Sequence, residues 1–116
     1  MPPHEATMAV VPLAGAAAAI AITGDVTAAC EHELMTLHEQ ATDSGAKLIV
    51  LDFAGMEYMN SGGIGMLVTL LVRCQRRQQK LVATGLTEHY RQIFELTRLD
   101  EAISLHDDID QALAAP

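Results

Sequence analysis

Ser61 is the residue whose type and setting most suggest chemistry. It stands in Met59-Asn60-Ser61-Gly62-Gly63-Ile64-Gly65, a hydroxyl beside a side-chain amide and a run of glycines. The segment is not a nucleophile elbow, because Met59 replaces the first Gly of G-x-S-x-G. Gly63-Ile64-Gly65 lacks the third Gly of a dinucleotide fingerprint, and no Gly-Lys-Ser/Thr follows it to make a P-loop. His32-Glu33 begins like H-E-x-x-H, but Thr36 occupies the position of the second His. His32 and His38 fall about 120° apart around a helix, too far to share a metal. The histidines therefore read as solvated surface side chains. Asp52 and Glu57 flank a turn and cannot be paired from sequence. With no base, metal or cofactor loop to fill catalytic roles, the chain reads as a binding protein without cofactor or metal rather than an enzyme.

What remains is chemistry at a helix start. A helix N-terminus offers unpaired backbone N–H groups and a positive dipole end, a good place to hold a phosphate. Asn60 or Ser61 suits the cap of such a helix. Gly62, Gly63 and Gly65 cost helix propensity, so something other than helix stability favours them. They leave the backbone open for a second protein to approach the Ser61 hydroxyl.

The elements that must position this segment follow from hydrophobic pattern. Met8–Leu13 and Ala16–Thr23 read as two short strands joined through Ala14–Gly15, although the alanine run favours helix by propensity. Cys30, Leu34, Leu37 and Ala41 recur at i, i+4, i+7 and i+11, one face of a helix. Asp25 or Thr27 can cap its start, and Gly45 suits the left-handed residue after its end. Lys47–Phe53 is a continuous apolar run of strand length, the mark of a strand covered on both faces. A turn then leads to a helix from Gly62 to about Gln79, with Ile64, Leu67, Val68 and Leu71 as its stripe. Leu81–Thr84 is a second buried-type strand. Thr87 caps a helix carrying Tyr90, Ile93 and Phe94. Ile103–Leu105 is a last short strand, and Asp108–Ala114 closes with a small helix. Strands alternating with helices predict an α/β domain: a mixed, mostly parallel sheet of about five strands, with an antiparallel N-terminal edge hairpin and about four helices. Met1–Thr7 is read as a loose arm and residues 8–116 as one domain.

Composition narrows the partners. The chain has 116 residues, 7 Lys+Arg against 15 Asp+Glu and a net charge of −8. That balance argues against nucleic acid and anionic membranes, which need clustered cations. Arg73, Arg76, Arg77 and Lys80 form the one basic cluster, read as a solvated helix end where cations suit the dipole. Two Phe, two Tyr and no Trp leave the core to aliphatic side chains. Val10–Ile22 is too short for a membrane span and contains Pro12 and Gly15. The N-terminus carries Glu5 and no cation, unlike a signal peptide. Cys30 and Cys74 form no C-x-x-C and read as free, buried thiols. A cytoplasmic protein without membrane insertion is expected.

Three blocks in this order resemble the STAS domains of bacterial anti-sigma factor antagonists. They are Ile22-Thr23-Gly24-Asp25, Leu48 to Gly55, and Tyr58-Met59-Asn60-Ser61-Gly62-Gly63-Ile64-Gly65-Met66-Leu67-Val68. Phe94 to Asp100 looks like the family's helix end before the last strand. The resemblance spans about Met8 to Leu113. It implies a partner switch in which the antagonist binds an anti-sigma factor that is also a Ser/Thr kinase and so frees a sigma factor. The kinase then phosphorylates a serine matching Ser61, which releases the antagonist, and a Ser/Thr phosphatase restores binding. Asn60 stands where the family has Asp, and Gly62 where it has a second hydroxyl residue. The alternative is a STAS docking subunit of a lipid-transport or stress-sensing assembly, with Ser61 only a helix cap.

The expected partner surface is Asn60, Ser61, Gly62, Gly63, Gly65, Met66, Thr69 and Leu70. With Ile64 at the centre of the buried stripe, Met66, Thr69 and Leu70 fall on the outward half of the helix, at about 200°, 140° and 240° from it.

Overall fold

The computed structural model describes residues 5–115. Its elements are β1 (Thr7–Leu13), β2 (Ala17–Val26), α1 (Glu31–Asp43), β3 (Leu48–Met59), α2 (Ser61–Arg76), β4 (Lys80–Thr84), α3 (Glu88–Leu96), β5 (Ser104–His106) and α4 (Ile109–Ala114). Short 3-10 turns lie at Ala28–Cys30 and Leu99–Glu101. The five strands lie side by side in chain order, β1 antiparallel to β2 and every later pair parallel. This is the expected α/β architecture. Residues 1–4 of the predicted arm lie outside the described residues, while Glu5 bridges to Asp25 and Thr7 opens β1.

Chain order across a parallel sheet has a direct consequence. Right-handed crossovers that all step the same way place their helices on one face. Side chains alternate along each strand, so the sheet splits its apolar residues between two layers. Ile20, Ile22, Ile49, Leu51, Phe53, Leu81 and Ala83 join the main core with Leu34 of α1, Leu67 and Leu70 of α2, and Phe94 of α3. Ala19, Val50 and Val82 point the other way and meet Ala112 and Ile109 of α4. The alanine run is strand because β2 is flanked by β1 and β3 along its length; tertiary pairing overrides propensity.

Two features depart from expectation. The turn predicted after Phe53 is strand, since β3 continues to Met59. It does so through two bulges: pairing steps from Ala21↔Asp52 to Thr23↔Gly55, and from Gly24↔Met56 to Asp25↔Tyr58, with one extra β3 residue each time. The second departure is His38, which is buried, not solvated, at 3% exposure. It lies one turn beyond Leu34 on the same face of α1. Its Nε2 is 2.7 Å from Oε1 of Gln79, whose Nε2 donates to Thr42 Oγ1 (2.9 Å) and to the Ala46 carbonyl (3.0 Å). The predicted cap at the far end holds, with Gly45 left-handed after Ser44. No helix among the described residues is long and apolar enough to cross a membrane.

Cys74 is fully buried against this network, and burial pushes its thiol up from 9.0 to about 12. Cys30 is half-buried. In the folded protein Cys30 should label with a thiol reagent well before Cys74, and unfolding should abolish the difference; equal rates would contradict the packing. A raised folded pKa means that Cys74 supports folding fully below about pH 9 and loses that support as pH rises toward 12. Urea unfolding of Cys74→Ala should therefore show a shallower decline in stability across that interval than the parent chain.

Candidate functional site

The end of β3 delivers the chain to α2 through anchored backbone groups. Met59 N–H donates to the Tyr90 hydroxyl of α3 at 2.9 Å, and Asn60 N–H donates to the Val26 carbonyl at the end of β2 at 3.2 Å. Asn60 is extended, and its Oδ1 accepts from Gly63 N–H at 2.9 Å. Ile64 N–H donates to the Asn60 carbonyl, the first bond of the helix. Of the two capping candidates, Asn60 is the cap. Ser61 is then the first helical residue, exposed, and its Oγ makes no hydrogen bond among the described residues. The N–H groups of Ser61 and Gly62 have no acceptor within the helix. A free hydroxyl thus sits at the positive end of a 16-residue helix.

The rotation of α2 differs from the predicted one by about 90°. Its buried residues are Gly63, Met66, Leu67, Leu70 and Cys74. Met66 is 2% exposed and touches Cys30 sulfur to sulfur at 3.8 Å; Leu70 is fully buried. Neither can contact a partner, so both leave the predicted interface. Val68, assigned to the stripe, is instead 42% exposed, and Val72 is 39% exposed. Ser61, Gly65, Val68 and Val72 fall within about 60° of one another and form the outward face, with Thr69 at its side. The spacing of Ser61, Gly65 and Val72 at i, i+4 and i+11 is the sequence signal that marks this face.

The three glycines divide by role. A Cβ on Gly63 would lie 2.6 Å from the Val26 carbonyl oxygen and 2.8 Å from Met59 Cγ, so Gly63 is a packing requirement. On Gly62 it would press on Ala28 at 3.1 Å. At Gly65 it would meet nothing within 4 Å. Of the predicted surface, the structure brings Ser61, Gly65 and Thr69 together outside, keeps Asn60 and Gly62 at the rim, and turns Gly63 inward.

Beside this helix start lies a cleft of about 270 Å³, lined by Glu5, Asp25, Glu33, Thr27, Cys30 and Tyr58. The 3-10 turn that packs on Gly62 forms one wall of it. Tyr58, near the end of β3, is 49% exposed. The outward face of α2 is partly apolar through Val68 and Val72, and the neighbouring cleft carries three carboxylates. Among the described residues no cluster of His, Cys, Asp or Glu could hold a metal ion.

The chain belongs to the STAS-domain family. The family model described as "Mlab, STAS domain" matches residues 9–114. BtrV of Bordetella bronchiseptica, a protein that carries the name anti-sigma factor antagonist, is 24% identical over 94 residues, 81% of each chain. The fold is that of solved structures. An anti-sigma factor antagonist from Mycobacterium paratuberculosis superposes with a TM-score of 0.80 at 19% identity, covering 97% of this chain and 94% of that one. The Bacillus cell fate determinant SpoIIAA, solved in its phosphorylated form, gives 0.71 at 12% identity over 92% and 96%.

Substitutions at the helix start should separate cap, packing and hydroxyl. Asn60→Ala removes the bond to Gly63 and should destabilise by about 1 kcal/mol, whereas Ser61→Ala should stay within about 0.5 kcal/mol of the parent. Equal losses in chemical denaturation would mean that Ser61 shares the cap. Gly63→Ala forces overpacking against Val26 and should cost about 1–3 kcal/mol. Gly65→Ala, with open space and helical backbone, should stabilise by about 0.5–1 kcal/mol. A destabilised Gly65→Ala would show that α2 is rotated otherwise.

Proposed function

We propose that this chain is an anti-sigma factor antagonist that works as a phosphorylation-controlled partner switch. The unphosphorylated form binds an anti-sigma factor that is also a Ser/Thr kinase, through Ser61, Gly65, Val68, Thr69 and Val72, and so frees the sigma factor. Phosphorylation of Ser61 releases the kinase, and a Ser/Thr phosphatase restores binding. All catalysis in this scheme belongs to the partners.

One observation carries the reading. Asn60 caps α2, so the Ser61 hydroxyl is exposed and unengaged rather than committed to the fold. A serine that only capped would be inaccessible to phosphoryl transfer without loosening the helix. A phosphate on Ser61 adds about −1.5 to −2 charges to an acidic, partly apolar surface, enough to reverse its fit to a partner. The same charge is favourable to the fold, since a helix N-terminus stabilises an anion by roughly 0.3–1 kcal/mol. Binding can change while the domain stays folded.

The second reading is a STAS docking subunit of a lipid-transport or stress-sensing assembly; membership of the STAS-domain family is compatible with either role. The two part at Ser61: a fixed docking subunit binds its partner whatever stands there.

Mass spectrometry after incubation with ATP and the cognate kinase should find phosphate on Ser61 alone. Calorimetry should show Ser61→Ala binding the kinase like the parent and Ser61→Asp binding at least tenfold more weakly, about 1.4 kcal/mol. Val72→Arg should weaken binding to a similar degree with the melting temperature unchanged, because Val72 faces outward. Equal affinity for Ser61→Ala and Ser61→Asp would support the docking subunit instead.

A further inference from the structure

At the end of α2 opposite Ser61, Arg73, Arg76 and Arg77 line a cleft of about 350 Å³ together with His38, Glu39 and Thr42 of α1. These are three of the seven Lys and Arg in a chain of net charge −8. None of the three makes an ion pair among the described residues; the pairs formed by arginine there use Arg91 and Arg98. Helix-dipole stabilisation accounts for cations in the last turn of a helix. It does not account for three guanidinium groups at i, i+3 and i+4, neighbours on one face that repel each other, gathered on a single cavity.

The wall facing them is built, not loose. His38 is buried and held by Gln79, and Gln79 also fastens Thr42 and the loop at Ala46. Thr42 further donates to the His38 carbonyl at 2.9 Å. Glu39 is the one carboxylate lining the cleft, so the charge there is net positive. A guanidinium presents a planar fork that matches two oxygens of one phosphate. Three forks spread over one turn of helix offer oxygen pairs at more than one point of the cavity, and a cavity of this size, which lies within the range of small-molecule sites, roughly 300–1,000 Å³, has room for an anion larger than one phosphate.

We infer that the cleft between α1 and the C-terminal end of α2 binds a small anion carrying two or more phosphate groups, held by Arg73, Arg76 and Arg77. Twelve residues of helix separate Arg73 from Ser61, about 18 Å, so this site is distinct from the switch and does not rest on it.

The test is titration of inorganic pyrophosphate into the full chain, followed by amide NMR and calorimetry. Orthophosphate and vesicles containing phosphatidate form parallel arms. Saturable shifts are expected at residues 38–42 and 73–77, with pyrophosphate at least tenfold tighter than orthophosphate. Arg73→Gln/Arg76→Gln/Arg77→Gln should weaken pyrophosphate by at least tenfold, while Arg98→Gln leaves it unchanged. The substituted side chains are exposed, and an unchanged melting temperature will confirm that the variant is folded. Absence of saturable binding, undiminished binding by the triple variant, equal affinity for the two phosphates, or capture by vesicles alone would each overturn the proposal.

Discussion

The carbonyl of Val26, at the end of β2, is the point on which the site depends. It accepts the Asn60 N–H, and it lies so close to Gly63 that no side chain fits between them. One atom therefore sets both where α2 begins and how α2 is rotated. With Gly63 pressed inward, helical geometry carries Met66, Leu67, Leu70 and Cys74 to the core and leaves Ser61, Gly65, Val68 and Val72 outside. A methyl group on Gly63 would lift or turn the helix and move every one of these side chains. The glycine-rich start, costly to helix propensity, is in part the consequence of this close approach.

That constraint also explains where the sequence was legible. Lys47–Phe53 and Leu81–Thr84 announce buried strands because both their faces are covered, and the helices between them follow from ordinary periodicity. The mostly parallel sheet follows from the alternation of strands with helices, and the antiparallel hairpin from the short Ala14–Gly15 link. The rotation of α2 was not legible, because Ile64, Met66, Leu67, Val68, Leu70, Leu71 and Val72 put apolar groups over most of its circumference. Pattern cannot choose one stripe when apolar residues cover about two-thirds of the circumference; a steric contact with another strand chose it. His38 was illegible for a similar reason. Burying its ring requires Gln79, 41 residues away, and the pairing leaves no local trace. The continuation of β3 past Phe53 was hidden because bulges place turn-forming residues within a strand.

Asn60 bears on how a phosphate would be received at Ser61. A capping carboxylate would stand beside the incoming charge and repel it, while an amide caps through the same oxygen and carries no charge. The positive end of α2 is thus left uncompensated by its own cap, and no acidic residue occupies its first turn. The carboxylates near the site, Glu5, Asp25 and Glu33, lie instead across the 3-10 turn, in the neighbouring cleft. An Asp here would combine two properties that Asn60 separates: a capping oxygen at the helix start, and a negative charge beside Ser61.

The two ends of α2 then present different chemistry on one rigid element, a hydroxyl over free N–H groups at one and a cluster of guanidiniums at the other. Sharing a helix does not by itself couple them. Coupling needs an element with two arrangements whose balance both ligands shift. Here one face of the helix is fully packed through Leu67, Leu70 and Cys74, and its ends are tied separately, by Asn60 to β2 and by Gln79 to α1. Packing of that kind resists small displacements rather than passing them on. Occupancy of the arginine cleft should therefore leave the intrinsic affinity of the Ser61 face unchanged. A partner large enough to touch both ends would be the means by which one is read together with the other.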